Sequence, residues 1–128
     1  MKLLQIRLLV KDFKKSVEFY KDLLGIPLSW YEEKMEYALF NNGETKIELL
    51  SQKAMAEVIG KENKFLDGES PSKFLLQFEV EDVDKTYEYL RENGIEFVTE
   101  PHDRKEWRSR IAHFQDPDKN LIEIYKML

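Results

Sequence analysis

The chain has 128 residues, which is the usual size of one domain, and its hydrophobic fraction of 42% is sufficient for a core without cross-links. It contains no cysteine, which excludes disulfides, thiolate nucleophiles and cysteine metal sites. The formal net charge of −5 argues against a nucleic-acid surface, and no apolar stretch is long enough to span a membrane. These features predict a cytoplasmic protein with neither nucleic-acid nor membrane partners.

The first half of the sequence predicts a strand, a helix and three further strands. Residues 3–10 alternate and are rich in Leu, Ile and Val, which is typical of a strand. Asp12 has the side chain of a helix N-cap, and Gly25 is suited to the left-handed residue that ends a helix. The three strands are predicted at 27–31, 36–41 and 45–51.

The second half repeats this order. Residues 80–90 match residues 10–20 at an offset of 70, with Val, Asp, Lys, Ser or Thr, and Glu recurring in place. A Gly-Ile pair closes each helix, with one residue fewer before Gly94 than before Gly25. The repeat predicts an α+β fold of two βαβββ units. We predict a single domain over 1–128 with repeat units at about 1–51 and 73–128. A linker at about 52–72 joins them and contains a short helix near 54–59. The strands of the second half are predicted at 74–80, 96–100, 108–115 and 120–126.

Each predicted strand has one wholly apolar face, which should pack on the helices, and one mixed face. The mixed face combines charged, amide and imidazole groups with large apolar ones, as small-molecule pockets do. An ordinary solvated sheet face explains the alternation equally well. The acidic residues on the mixed face favour a cationic ligand. The candidate ligand-binding residues on or beside this face are Gln5, Arg7, Glu48, Gln77, Trp107, His113, Glu123 and Tyr125.

The repeated unit and the segment Asp116-Pro117-Asp118-Lys119-Asn120-Leu121-Ile122-Glu123 resemble the vicinal oxygen chelate superfamily. This superfamily includes glyoxalase I, extradiol dioxygenases, fosfomycin-resistance enzymes and bleomycin-resistance proteins. The resemblance implies that paired βαβββ modules form a cupped, barrel-like mixed sheet with helices outside, and that the protein is a homodimer.

The resemblance also implies a metal position formed by Gln5, Glu48, Leu75 and Glu123. Leu75 has no donor atom, so one ligand is missing. Two carboxylates and one amide are fewer donors than a catalytic metal site normally supplies. We therefore expect no cofactor. A divalent metal held by Gln5, Glu48 and Glu123, with His113 as a further donor, remains the alternative.

Three functions follow from these observations. The first is a small-molecule-binding protein, resembling the bleomycin-resistance group, that sequesters an organic ligand without a complete metal site. The alternative is a divalent-metal-dependent, glyoxalase-like lyase or isomerase in which Glu123 or Glu48 moves a proton. The third is an interaction module with a vestigial pocket. Without a metal, two interpretations stay open: Glu48 and Glu123 act as a carboxylate pair in which like charge raises one pKa, or each glutamate forms an ordinary salt bridge with Arg7, Lys46 or Arg110.

Overall fold

The computed structural model describes residues 5–59, 75–105 and 108–128. The chain divides into two compact units, Met1–Ser70 and Pro71–Leu128, and each unit contains one copy of the repeat. Within the described ranges, no helix has both the length and the apolar character needed to cross a bilayer.

The first unit forms a four-stranded mixed sheet in the order β1-β4-β3-β2. Strand β1 runs parallel to β4, and the other neighbouring strands are antiparallel. The elements are β1 (Ile6–Val10), α1 (Phe13–Glu18), a π-helical turn (Phe19–Leu23), β2 (Leu28–Glu32), β3 (Tyr37–Asn42), β4 (Thr45–Ser51) and α2 (Gln52–Ile59). Helix α2 confirms the short helix predicted after the first unit, and residues 60–74 of the linker region lie outside the described ranges.

The second unit has the same topology, with the strand order β5-β8-β7-β6 and a parallel β5–β8 pair. Its elements are β5 (Leu75–Glu79), α3 (Val83–Glu92), β6 (Phe97–Arg104), β7 (Ser109–Gln115) and β8 (Leu121–Met127). The predicted α+β fold of two βαβββ modules is confirmed. Each sheet is open, and β6 continues to Arg104, beyond its predicted end at residue 100.

The first helix of each unit begins as the sequence predicts. Asp12 and Asp82 adopt extended backbone conformations, and each side chain accepts a hydrogen bond from the N–H three residues later, at 3.1 and 3.0 Å. This contact satisfies one of the free N–H groups of the first helical turn. Gly25 and Gly94 have φ angles of 70° and 90°, which favour glycine over other residues.

The two helices end differently. In the first unit the N–H of Leu24 bonds to the carbonyl of Phe19, and the N–H of Ile26 bonds to that of Tyr20, each at 3.0 Å. In the second unit the equivalent closing bond joins the N–H of Ile95 to the carbonyl of Leu90. The closing loop of the first unit is therefore one residue longer. The π-helical turn accommodates the extra residue that the sequence repeat contains before Gly25.

The apolar face of each sheet packs against the helices, as predicted. In the first unit Leu8, Leu49 and Phe40 are buried, and the ring of Phe40 lies 6.1 Å from that of the helical residue Tyr20. In the second unit the core residues of the sheet are Leu76, Ala112, Phe114, Ile122 and Ile124. This packing leaves the opposite face of each sheet to carry the polar side chains.

Candidate functional site

A buried glutamate lies at the centre of the polar face of each sheet. Glu48 on β4 is 3% exposed, and Glu123 on β8 is 4% exposed. A carboxylate that is removed from water to this extent requires hydrogen-bond donors, because an unpaired buried charge is strongly unfavourable. The donors that surround each glutamate therefore define what each polar face can do.

In the first unit the main partner of Glu48 is Arg7. The parallel register of β1 and β4 places the two residues directly opposite each other. Nε of Arg7 donates to Oε1 at 3.2 Å, and Nη2 donates to Oε2 at 3.3 Å. This two-bond pairing fixes the guanidinium plane while the Arg7 side chain stays 42% exposed.

Tyr37 supplies the second contact to Glu48. It lies on β3 opposite Leu50, which places it diagonal to Glu48 on the same sheet face, and its hydroxyl donates to Oε2. The pKa of Tyr37 is raised to about 12, first by burial and then by the hydrogen bond and the negative charge of Glu48, while the Arg7 charge acts in the opposite direction. Tyr37 is therefore a neutral hydrogen-bond donor at physiological pH.

In the second unit a hydrogen-bonded row of side chains crosses all four strands. Gln77 on β5 and His113 on β7 both lie opposite Glu123, and Thr99 on β6 lies opposite His113. Nε2 of Gln77 donates to Oε1 of Glu123 at 2.7 Å, and Nε2 of His113 lies 2.8 Å from Oε2. Every oxygen of Glu123 thus has a donor from the chain.

Both ring nitrogens of His113 are engaged. The Thr99 hydroxyl oxygen accepts the backbone N–H of His113 at 3.0 Å and lies 2.8 Å from Nδ1. Because an ionised carboxylate only accepts hydrogen bonds, the bond to Glu123 assigns a proton to Nε2 of His113. The predicted interpretation of His113 as a further metal donor would require one of these bonds to break.

The structure brings together only some of the predicted site residues within each unit. Arg7 and Glu48 form one cluster, and Gln77, His113 and Glu123 form the other. The remaining predictions are placed as follows: Gln5 is exposed and directly precedes β1, Leu75 is an exposed residue at the start of β5 opposite Leu121, Tyr125 is half-buried on β8 opposite Ile111, and Trp107 lies outside the described residues.

One predicted salt-bridge partner is wrong. Arg110 does not bind a glutamate of the polar face, because strand alternation turns its side chain toward the helix side, where Ala112 also points. Its guanidinium contacts Asp84 at 2.6 and 2.8 Å and Asp103 at 2.9 Å. The hydrogen bonds from Arg110 lower the pKa of Asp84 from its ordinary value of 3.8.

The donor set does not fit a divalent metal. All four carboxylate oxygens of Glu48 and Glu123 accept hydrogen bonds from side chains, and in the first unit two of these bonds come from a guanidinium, which repels a cation. Within the described residues of each unit, no three His, Asp or Glu side chains are placed so that they could hold a metal ion. Metal binding would have to displace contacts that the chain already makes.

Two members of these clusters were not among the predicted site residues. Tyr37 is diagonal to Glu48, so only the strand register reveals the contact. Thr99 lies between two register shifts in β6. Such shifts interrupt the alternation of side chains between the two faces, so the sequence pattern does not show which face Thr99 occupies. For Thr99 the sequence did contain one signal, which is the internal repeat. Strand β6 is the equivalent of β2, so it is expected to lie in the same sheet as Glu123 and to contribute side chains to its polar face.

Comparison with known proteins identifies one superfamily. Residues 2–124 match the family model described as the Glyoxalase/Bleomycin resistance protein/Dioxygenase superfamily. The "Uncharacterized protein YraH" of Bacillus subtilis (strain 168) is 73% identical over 128 residues and is covered completely, as is this chain. A "Bleomycin resistance protein" of Geobacillus stearothermophilus is 28% identical over 127 residues, which cover 93% of this chain and 92% of that protein. A solved glyoxalase/bleomycin resistance protein/dioxygenase from Nocardioides has a TM-score of 0.80 at 26% identity, with 100% of this chain and 85% of that chain covered.

Proposed function

The chain belongs to the glyoxalase/bleomycin resistance protein/dioxygenase superfamily, and from this premise we propose that it binds and sequesters a small organic molecule without a resident metal. The proposal depends on one observation: both buried carboxylates are already satisfied by donors from the chain. A metal-dependent lyase or isomerase needs free ligand atoms and a carboxylate available to move a proton. A binding protein needs neither.

The polar faces have the properties that binding requires. Arg7 and Gln77 are exposed residues, and a buried glutamate fixes the polar end of each side chain. Fixed donors lose little conformational entropy when a ligand binds, which increases affinity. The similarity to a bleomycin resistance protein of Geobacillus stearothermophilus also supports an organic antibiotic as the ligand.

Metal analysis combined with ligand screening tests this proposal. Protein purified without a chelator should contain far less than one divalent ion per chain. Thermal shift against a panel of glycopeptide and other antibiotics and of α-ketoaldehyde–thiol adducts should identify a stabilising compound, and pretreatment with EDTA should leave the shift unchanged. A stoichiometric metal, or turnover of an adduct that depends on added metal, would establish the lyase or isomerase instead.

We also propose that the protein is a homodimer. The proposal extends the resemblance described above and concerns assembly rather than the polar faces. Size-exclusion chromatography with light scattering should give twice the chain mass of 15.3 kDa. A single-chain mass at micromolar concentration would reject the dimer without affecting the binding proposal.

A further inference from the structure

Each unit contains an arginine that is paired with carboxylates, and the two differ in how many of their guanidinium nitrogens donate hydrogen bonds. Arg110 donates from Nε, Nη1 and Nη2 to two carboxylates. Arg7 donates only from Nε and Nη2, and only to Glu48 among side chains of the described residues. No partner of Nη1 of Arg7 is present in the part of the chain that the structure describes. All three guanidinium nitrogens of Arg110 donate to carboxylates, whereas Nη1 of Arg7 keeps both of its N–H groups for a further partner.

The unused capacity of Arg7 lies on one edge of the guanidinium. The group has five N–H donors in a rigid plane, and the pairing with Glu48 uses two of them on the Nε–Nη2 edge. Three N–H donors remain, and two of them, one on Nη1 and one on Nη2, lie parallel on the Nη1–Nη2 edge. Two parallel N–H groups on such an edge match the oxygens of a carboxylate or a phosphate. The Arg7 side chain as a whole is 42% exposed, and the Nη1–Nη2 edge is the part of it that makes no contact with Glu48 through Nη1.

We propose that Arg7 is an oxyanion anchor: Glu48 holds its guanidinium in place, and its Nη1–Nη2 edge binds a carboxylate or phosphate group of the ligand. The inference rests on the proposed binding function and assigns a chemical class to the ligand. The proposed ligand group is an anion, whereas the acidic residues of the sequence favour a cationic ligand. The difference arises because Arg7 compensates the charge of Glu48. Because the net charge is −5, the overall field of the protein does not attract an anion, and the interaction at Arg7 depends on direct contact.

Nuclear magnetic resonance of the arginine Nε–Hε groups tests the anchor with inorganic phosphate as the probe. Sodium phosphate, compared with sodium chloride at equal ionic strength and pH, should shift the Arg7 resonance in a saturable manner. Arg110 is the matched control in the same spectrum, and its resonance should not move beyond the chloride reference. Absence of saturation at Arg7, or an equal response at Arg110, would overturn the proposal.

Two variants separate an anchor from a purely structural arginine. Arg7→Lys keeps the charge but loses the planar edge, and we expect it to weaken phosphate binding at least about fivefold. Glu48→Gln keeps a hydrogen-bond acceptor but removes the compensating charge, and it should tighten phosphate binding by a similar factor. An arginine that only supports the fold would give no tightening in Glu48→Gln, and that result would reject the anchor.

The outcome also distinguishes this inference from the proposed function. If an organic compound stabilises the wild type and Arg7→Lys equally, binding stands and the anchor is rejected. If phosphate binds at Arg7 but no organic compound binds anywhere, the sequestration proposal fails while the oxyanion site remains.

Discussion

Each unit buries a glutamate at the equivalent position of its own sheet, but the two units satisfy that glutamate with different chemistry. In the first unit Glu48 is held by the charged guanidinium of Arg7 and the hydroxyl of Tyr37. In the second unit Glu123 is held by the neutral amide of Gln77 and the imidazole of His113. The comparison shows that the fold determines where a buried carboxylate lies, and that the neighbouring strand determines which donor meets it.

The difference extends across each sheet. The row through Glu48 continues to Leu39 and Trp30, so its polar part ends at the glutamate. The row through Glu123 continues to His113 and Thr99, so it is polar on every strand. The first unit therefore depends on charge compensation, whereas the second depends on a chain of hydrogen bonds. Three measurements test this distinction, and a fourth provides a reference from the opposite side of the second sheet.

The largest effect is expected when Arg7 is removed. Arg7→Leu leaves Glu48 buried without a compensating charge, and it should lower the free energy of unfolding by about 2–3 kcal/mol, reduced from the fully buried case because Arg7 is partly exposed. Gln77→Leu is the matched change in the second unit and should cost about 1 kcal/mol. Urea denaturation measures both. Equal losses would contradict the comparison, and adding Glu48→Gln to Arg7→Leu should recover most of the stability.

The next effect is a dependence of stability on alkaline pH that is specific to the first unit. The pKa of Tyr37 is raised from 10.0 to about 12, so its contribution is fully present below pH 10 and is lost as the pH rises to 12. The loss should be about 2 kcal/mol. The stability difference between the wild type and Tyr37→Phe, measured by denaturation across this range, isolates the contribution. A difference that stays constant from pH 9 to pH 12 would be inconsistent with it.

A smaller effect is expected when the row of the second unit is shortened to resemble that of the first. His113→Leu introduces the residue type of Leu39 and removes a donor from Glu123, with an expected cost of about 1–2 kcal/mol. His113→Gln retains an N–H donor and should recover part of that loss. If His113→Gln were as unstable as His113→Leu, packing rather than hydrogen bonding would explain the role of His113.

The smallest effect concerns the ion pair on the opposite side of the second sheet. Asp84→Asn should cost less than about 1 kcal/mol, because the pair with Arg110 is largely exposed. The pKa of Asp84 is lowered, so its contribution is present above pH 3.8 and is lost as the pH falls further. The free energies of unfolding of the wild type and of the variant, measured as the pH is lowered, should become equal at low pH. High salt should reduce the difference at neutral pH, and persistence in salt would contradict a surface pair.

The order and type of the elements could be predicted from the sequence because their signals are local. The N-caps at Asp12 and Asp82 and the left-handed residues at Gly25 and Gly94 depend only on nearby backbone. The internal repeat then supplied the topology, since a pattern found twice constrains both copies.

The partners of the buried glutamates could be predicted only in part. Alternation identifies Arg7 and Gln77 as residues of the polar face, but it does not fix which residue of β1 or β5 lies opposite Glu48 or Glu123. That depends on the register between strands far apart in the sequence. Thr99 was missed for a further reason, because the register shifts in β6 interrupt the alternation.

The π-helical turn at Phe19–Leu23 has a consequence for how the two copies diverged. The additional residue is absorbed within one turn, and the strands that follow keep the same order and pairing in both units. A length change at this point is therefore decoupled from the sheet. Insertions and deletions between α1 and β2 should therefore be tolerated in proteins built from this module. A one-residue insertion or deletion inside β4 would instead move each later side chain of that strand to the opposite face of the sheet.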